Sequence, residues 1–270
     1  MGSGRLPGPL GARGRKQRKG HHHSHHAGPI AVHKLAPATE AAAAPAVSVA
    51  VPGDGLSLEE LKAEVQKRQI RWHIKVKHRT YCANVPDSEL APIEKGFRMR
   101  TEAAGKCKEM LAAAREEWQT KKKEGDAKAQ ATRTIELHSA YRNIAEDTAS
   151  WNKSFGQYYA RTASDRNAFP DGPHGPKAIA LMVVMMRKYK AAPGYSNHSN
   201  GLAVDFRTVY KGDILIAASA QKPLWIETWL HPWLVKNAPR FGYQALNTEE
   251  WHWDYVGVEA AAASAPRSGA

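Results

Sequence analysis

Ser196-Asn197-His198-Ser199-Asn200-Gly201-Leu202-Ala203-Val204-Asp205, followed downstream by Glu249-Glu250-Trp251-His252, is the part of this chain from which the rest can be read. Ala203, Val204 and Phe206 around Asp205 mark a buried strand, where a lone carboxylate is costly unless it is paired or binds a cation. A salt bridge to Arg207 is the plain alternative, since residues two apart share one face of a strand. Asn200-Gly201 is a turn signal that lets the chain fold back between His198 and Asp205. His252 lies in the aromatic run Trp251-His252-Trp253-Asp254-Tyr255, where a packed core histidine is the plain reading, but Glu249 stands three residues before it. Two imidazoles, one carboxylate and an open position suit a hydrolytic zinc centre, with Glu249 as a candidate base. The pattern differs from HExxH, in which both histidines sit on one helix.

Working outward, Arg133–Ser139 alternates like a half-buried strand, Leu202–Phe206 reads as a second and Trp251–Val256 as a closing one. Helices are expected over Thr148–Arg161, Lys177–Lys190 and Leu224–Val235, with the methionines near Val183 and Val184 serving as core filler. Upstream, Ser57 and Glu60 make a capping box for a helix with Leu58, Leu61, Val65 and Ile70 on one face. A second helical segment opens at Pro86-Asp87-Ser88 and ends at Lys121–Gly125, giving a helical hairpin before the main domain. Strands and helices intersperse without regular βαβ repeats, which argues α+β with a small antiparallel sheet flanked by helices. The expected organisation is a disordered basic Ala/Pro/Gly-rich tail over 1–55, a helical region over 56–128, a peptidase domain over 129–257 and a disordered tail over 258–270.

The 270 residues carry a formal charge of +13, which favours anionic partners: nucleic acid, acidic lipid or the acidic polymers of a bacterial wall. Arg13–Lys19 reads as a solvated basic tract, and His21–His26 could chelate a metal but is given no catalytic part. Cys82 and Cys107 form no CxxC pair, so a thiolate zinc site is not expected; they could join in one disulfide or stay thiols. No apolar run is long enough for a membrane span, and no conventional secretory signal follows the basic N-terminus.

Taken together, SxHxxGxAxD followed by ExWH resembles the VanY-like D-alanyl-D-alanine carboxypeptidases of the LAS-type zinc metallopeptidases, whose relatives include VanX-type dipeptidases and phage L-alanyl-D-glutamate endopeptidases. Ser139-Ala140-Tyr141-Arg142 resembles that family's SGYR segment, with Ala140 in place of glycine. The resemblance spans about residues 133–256. It implies that His198, Asp205 and His252 bind Zn2+, and that Glu249 takes a proton from a zinc-bound water. It also implies that Arg142 steadies the carbonyl oxygen, with Ser196 and Tyr141 as further substrate-side residues. Asp147 stands where the family often has glutamine, a departure that bears on substrate binding.

The resemblance therefore implies a zinc peptidase acting on peptidoglycan stem or cross-link peptides, as a carboxypeptidase or an endopeptidase. Its substrate would lie in the bacterial wall or periplasm, reached by lysis release or injection, and the N-terminal region could engage a delivery or targeting partner. A non-catalytic peptidoglycan-binding module is the competing reading, against which the presence of Glu249 and all three ligands counts. A basic nucleic-acid-binding protein is a third, and no zinc-finger spacing or RNA-binding motif supports it.

Overall fold

The computed structural model describes residues 55–264. The basic tract, the histidine cluster, nearly all of the N-terminal tail and the last residues lie outside them. Helix α1 (Leu58–Lys75) starts at the expected box, with Ser57 and Glu60 each satisfying the other's backbone N–H. A short hairpin of β1 (Leu90–Pro92) and β2 (Arg98–Arg100) leads to α2 (Thr101–Lys123) and α3 (Ala127–Ala131). Strand β3 (Thr132–Ser139) is followed by α4 (Ile144–Arg161), α5 (Ala163–Asn167) and α6 (Pro176–Tyr189). The chain continues through β4 (Ala203–Tyr210), β5 (Asp213–Leu215), α7 (Lys222–Glu227) and α8 (Leu230–Asn237). It closes with β6 (Tyr243–Leu246), β7 (Glu249–Tyr255) and α9 (Val258–Ser264).

The main sheet has the order β3-β4-β7-β6, with β5 paired to the far end of β4, and every pairing is antiparallel. This is the α+β architecture expected, a small antiparallel sheet flanked by helices. Alternate residues of a strand face opposite sides. Val204 and Phe206 of β4 accordingly join Leu137, Trp251 and Trp253 in a core against Cys107, Met110 and Ala114 of α2 and Leu230 and Leu234 of α8. Each such large side chain, removed from water, contributes roughly 1.5–3 kcal/mol. Asp205, between Val204 and Phe206, is left for the other face, so the stretch that looks uniformly apolar positions one carboxylate away from that core.

A second buried cluster joins Leu61 and Val65 of α1, Trp151 and Phe155 of α4, and Ile179, Met182, Val183 and Met186 of α6. Met182 and Met186 are core filler, as read. Helices α1 and α2 therefore serve different clusters and do not form the expected hairpin, and the 56–128 stretch shares its buried surfaces with 129–257. The second helix also begins later than expected, at Thr101, because Lys95 and Gly96 take positive φ (50° and 81°) and turn the chain between β1 and β2. The helix expected over Leu224–Val235 breaks at Thr228, whose backbone is extended and whose hydroxyl accepts from His231 N at 3.0 Å, opening α8. The tail expected to be disordered from 258 instead starts as α9, an alanine-rich turn held by the burial of Ala261. Cys82 and Cys107 are free thiols, and burial pushes Cys107 up to about 12. No helix among the described residues is long and apolar enough to cross a membrane.

Candidate metal centre

Register brings two of the candidate ligands together. Asp205 pairs with His252 across β4 and β7, and with Ser139 across β3 and β4. The preceding loop delivers the third. Ser199 N–H bonds to Ser196 O at 3.0 Å and Gly201 N–H to His198 O at 3.1 Å, a tight path that carries His198 to the start of β4. Gly201 has φ +67°, and a Cβ there would come within 3.2 Å of the Arg100 nitrogen, so the glycine read as a turn signal is required by both backbone and space.

His198, Asp205 and His252 are all buried, and one ligand atom from each lies within 4.8 Å of the others. His252 Nδ1 is 2.9 Å from Asp205 Oδ1, His198 Nε2 is 3.3 Å from Asp205 Oδ2, and the two ring nitrogens are 3.3 Å apart. A tetrahedral zinc site with bonds of ~2.0–2.1 Å has edges of ~3.3 Å. The nitrogens are also primed chemically. His198 Nδ1 meets the Ala140 carbonyl at 2.7 Å and His252 Nε2 meets Asp254 Oδ1 at 2.9 Å. Each ring can donate its outer N–H there and turn the other nitrogen to the centre. The donor set and its spacing fit a divalent cation.

The electrostatics point the same way. Burial opposes the charge on Asp205, yet His198 and His252 outweigh it and hold the carboxyl well below its ordinary range. Burial likewise disfavours charge on His252, but hydrogen bonds to Asp205 and Asp254 prevail and push it up to about 10. His198, with burial dominant, is lowered. Asp205 thus stands ionised between the two imidazoles, the form in which a carboxylate can bind a cation. Arg207, the alternative partner for Asp205, lies 4.0 Å from Glu136 Oε2, so Asp205 is not spoken for by an arginine.

Glu249 stands beside the cluster, with Oε2 4.0 Å from His252 Nδ1, and burial raises its carboxyl. Arg142 is held on three sides: Nη1 donates to Ser139 Oγ at 2.9 Å, Nη2 to Ser196 Oγ at 3.5 Å and Nε to Asp147 Oδ1 at 3.4 Å. Its backbone N–H reaches His198 O at 3.2 Å, which ties the arginine loop to the ligand loop. Ser196 also caps His198 N–H at 3.2 Å. Tyr141 stands apart, because its hydroxyl accepts from Val85 N–H at 3.1 Å.

Three residues, one at the site and two behind it on α1, carry more structure than the sequence disclosed. Asp147, noted only as a departure, is 2% exposed and accepts from Gly194 N–H at 3.0 Å and Ser199 Oγ at 2.8 Å. It thus locks the ligand loop to α4 while pairing with Arg142. Gln69 and His73 extend the buried stripe of α1 as polar groups. Gln69 accepts from Trp151 Nε1 at 2.8 Å and donates to Lys190 O, and His73 Nε2 accepts Ala192 N–H at 3.1 Å. The available signal was their spacing, four apart in register with Leu61 and Val65.

Residues 96–258 match the family model VanY: D-alanyl-D-alanine carboxypeptidase. No curated protein sequence matches the chain significantly. Among solved structures, a mutant of the vancomycin resistance D,D-pentapeptidase VanY from a VanB-type cassette, in complex with Zn(II), is 21% identical, with 65% of this chain and 82% of that one covered and a TM-score of 0.42. VanYB in complex with D-alanine-D-alanine is 21% identical over 66% and 84%, with a TM-score of 0.42. The L,D-carboxypeptidase DacB from Streptococcus pneumonia is 22% identical over 61% and 72%, with a TM-score of 0.33. The family match takes in α2, the whole main sheet and every residue of the buried cluster, and this chain belongs to the VanY family of D-alanyl-D-alanine carboxypeptidases.

Proposed function

We propose that the chain is a zinc-dependent peptidase that hydrolyses peptidoglycan stem or cross-link peptides, as a D-alanyl-D-alanine carboxypeptidase or an endopeptidase. The observation that carries this reading is the buried triangle of His198, Asp205 and His252, with Glu249 4.0 Å from His252 and Arg142 fixed on the adjoining loop. His198, Asp205 and His252 would hold the ion. Zinc supplies Lewis acidity toward water and toward a peptide carbonyl. Glu249, its proton affinity raised by burial, takes the proton of the attacking water and returns it to the amine that leaves as the C–N bond breaks. Arg142 donates to the carbonyl oxygen as negative charge gathers there, and losing such a donor costs about 3–4 kcal/mol of transition-state stabilisation. Ser139, Ser196 and Asp147 fix the guanidinium so that little reorganisation is needed. The substrate would lie in the bacterial wall or periplasm.

The test is to incubate the full chain with peptidoglycan and with synthetic stem peptides, with zinc or with a chelator, and to read products by mass spectrometry. Cleavage that needs zinc, and that is lost in Glu249→Ala while zinc binding persists, is expected. No products, or cleavage by Glu249→Ala at the parent rate, would overturn the reading.

A further inference from the structure

The connection from α6 to β4, which carries His198, has neither helix nor strand over 190–199. Such a segment usually runs over the surface, because buried backbone needs hydrogen-bond partners. Here Ala192, Pro193, Gly194, Tyr195 and Ser196 are buried in succession. Most of the partners come from α1 and the segment after it. Gln69 donates to Lys190 O, and Ala192 N–H donates to His73 Nε2 at 3.1 Å. Cys82 N–H donates to Gly194 O at 2.8 Å, and Arg79 Nη1 donates to Tyr195 O at 2.8 Å. Four backbone groups within 190–195 are therefore satisfied from 69–82. Rings close the same contact. His73 lies almost parallel to Tyr195 with ring centroids 5.6 Å apart, and Tyr81 meets Tyr195 at 5.6 Å. Gly194, at φ +79°, admits the Tyr81 ring closely: a Cβ there would fall 2.3 Å from it.

The same segment reaches the other loop of the site. Val85 N–H donates to the Tyr141 hydroxyl at 3.1 Å, and Ile144 N–H donates to Asn84 Oδ1 at 3.3 Å, so the chain is held on either side of Arg142. The segment is itself tied down, by Trp151 Nε1 on Gln69 at 2.8 Å and by Arg79 N–H on His73 O at 3.0 Å. All of it precedes residue 96, where the match to the family begins. None of these contacts touches a candidate ligand, Glu249 or the Arg142 guanidinium. They fix backbone a few residues away. Ser196 lies between Tyr195 and His198, where its hydroxyl both caps His198 N–H and accepts from Arg142 Nη2. A shift of the loop at Tyr195 therefore displaces the imidazole and the guanidinium together. Misplacing such groups by ~1 Å costs on the order of 100-fold in rate.

We propose that residues 69–85 form a brace that sets the placement of His198 and Arg142, with His73 and Arg79 as positioning residues acting through Ala192 and Tyr195. The site of this protein then depends on chain upstream of the stretch it shares with its family. The functional consequence rests on the zinc peptidase reading; the placement itself does not.

The experiment uses the full chain. His73→Leu and Arg79→Met remove the bonds to Ala192 and Tyr195, whereas His73→Gln and Arg79→Lys keep an acceptor and a donor in those places. Val183→Ala is the control: it loosens the cluster of α1, α4 and α6 and makes none of the bonds to the loop. Melting temperatures establish that each variant is folded. Should His73→Leu fail to fold, Arg79→Met, at a half-buried position, carries the test alone. Zinc affinity is measured by competition with a chromophoric chelator, and kcat and KM on a synthetic stem peptide. Hydrogen exchange on the metal-free chain reads the amides of Ser199 and Gly201, which close the turn that carries His198. His73→Leu and Arg79→Met are expected to weaken zinc binding roughly 10-fold or more, as loss of an outer partner does. They should also lower kcat more than they raise KM and speed exchange at both amides. His73→Gln and Arg79→Lys should restore most of each loss, and Val183→Ala should melt earlier yet keep the parent's values. If the two brace variants behave as Val183→Ala does, the contacts are packing alone and the proposal fails. If the parent binds no zinc and cuts no peptide, the peptidase reading fails, and exchange on the metal-free chain still decides the brace. Faster exchange at Ser199 and Gly201 in Arg79→Met then sustains it, and unchanged protection overturns it.

Discussion

His252 Nδ1 lies 2.9 Å from Asp205 Oδ1 because the two residues are direct partners across the antiparallel pair β4 and β7. The contact is thus built into sheet register and does not depend on loop placement. A one-residue slip would turn Asp205 toward the core and destroy the cluster. Asp205→Asn keeps the shape and removes the charge. Zinc affinity, measured by competition with a chromophoric chelator, should fall by at least the roughly 10–100-fold expected for losing even an outer partner. Unchanged affinity would show that Asp205 is not a ligand.

Asp254 acts one step out. It accepts from His252 Nε2 at 2.9 Å and so fixes which nitrogen faces the centre. Asp254→Ala is expected to weaken zinc binding roughly 10–100-fold while leaving the fold intact by circular dichroism. The same affinity in the variant as in the parent would assign the contact to packing alone.

Asp147 joins Arg142, Gly194 and Ser199. Asp147→Ala leaves the Gly194 N–H and the Ser199 hydroxyl without their acceptor, which should lower stability by about 1–3 kcal/mol in urea unfolding. It should also lower kcat more than it raises KM, because the guanidinium is no longer held in place. Full activity with full stability would contradict the role given to it.

His73 predicts a pH effect on folding. Burial, with Arg79 adding to it, depresses the imidazole to about 4, and Nε2 must stay unprotonated to accept Ala192 N–H. The unfolded chain, with an ordinary histidine, binds the proton first. Stability is therefore complete above about 6.5 and falls as pH drops from there toward 4, by on the order of 2–3 kcal/mol. Urea unfolding between pH 7 and pH 4 should show this slope, and His73→Gln should flatten it. An equal slope in both proteins would sink the assignment.

The buried triangle and Glu249 beside it were legible because each residue lies in a short motif whose spacing is converted directly into position: a glycine turn before β4, and strand alternation in β4 and β7. Arg142, on the loop after β3, was legible only through the resemblance of Ser139-Ala140-Tyr141-Arg142 to a family segment. The partners that hold these groups were not. Asp147 meets Gly194 and Ser199, and Gln69 meets Trp151, across 47 to 82 residues of chain, and no local pattern encodes such contacts. Gln69 and His73 occupy a buried helical stripe that apolar periodicity cannot reveal, since the stripe turns polar halfway along. The hairpin of β1 and β2 has three residues per strand, too few for alternation to register. The break at Thr228 depends on one hydroxyl capping α8, which an apolar run on either side conceals.

The most direct test of the account is to locate the ion itself. Zinc-loaded crystals of the full chain, measured on either side of the zinc absorption edge, should give an anomalous peak bonded to His198 Nε2, Asp205 and His252 Nδ1 at ~2.0–2.2 Å. The location matters because His21–His26 could also chelate zinc, so bulk metal content alone would not separate the two. A peak at the buried triangle that disappears in His252→Ala is the predicted result. An empty triangle in the presence of excess zinc would contradict the central claim.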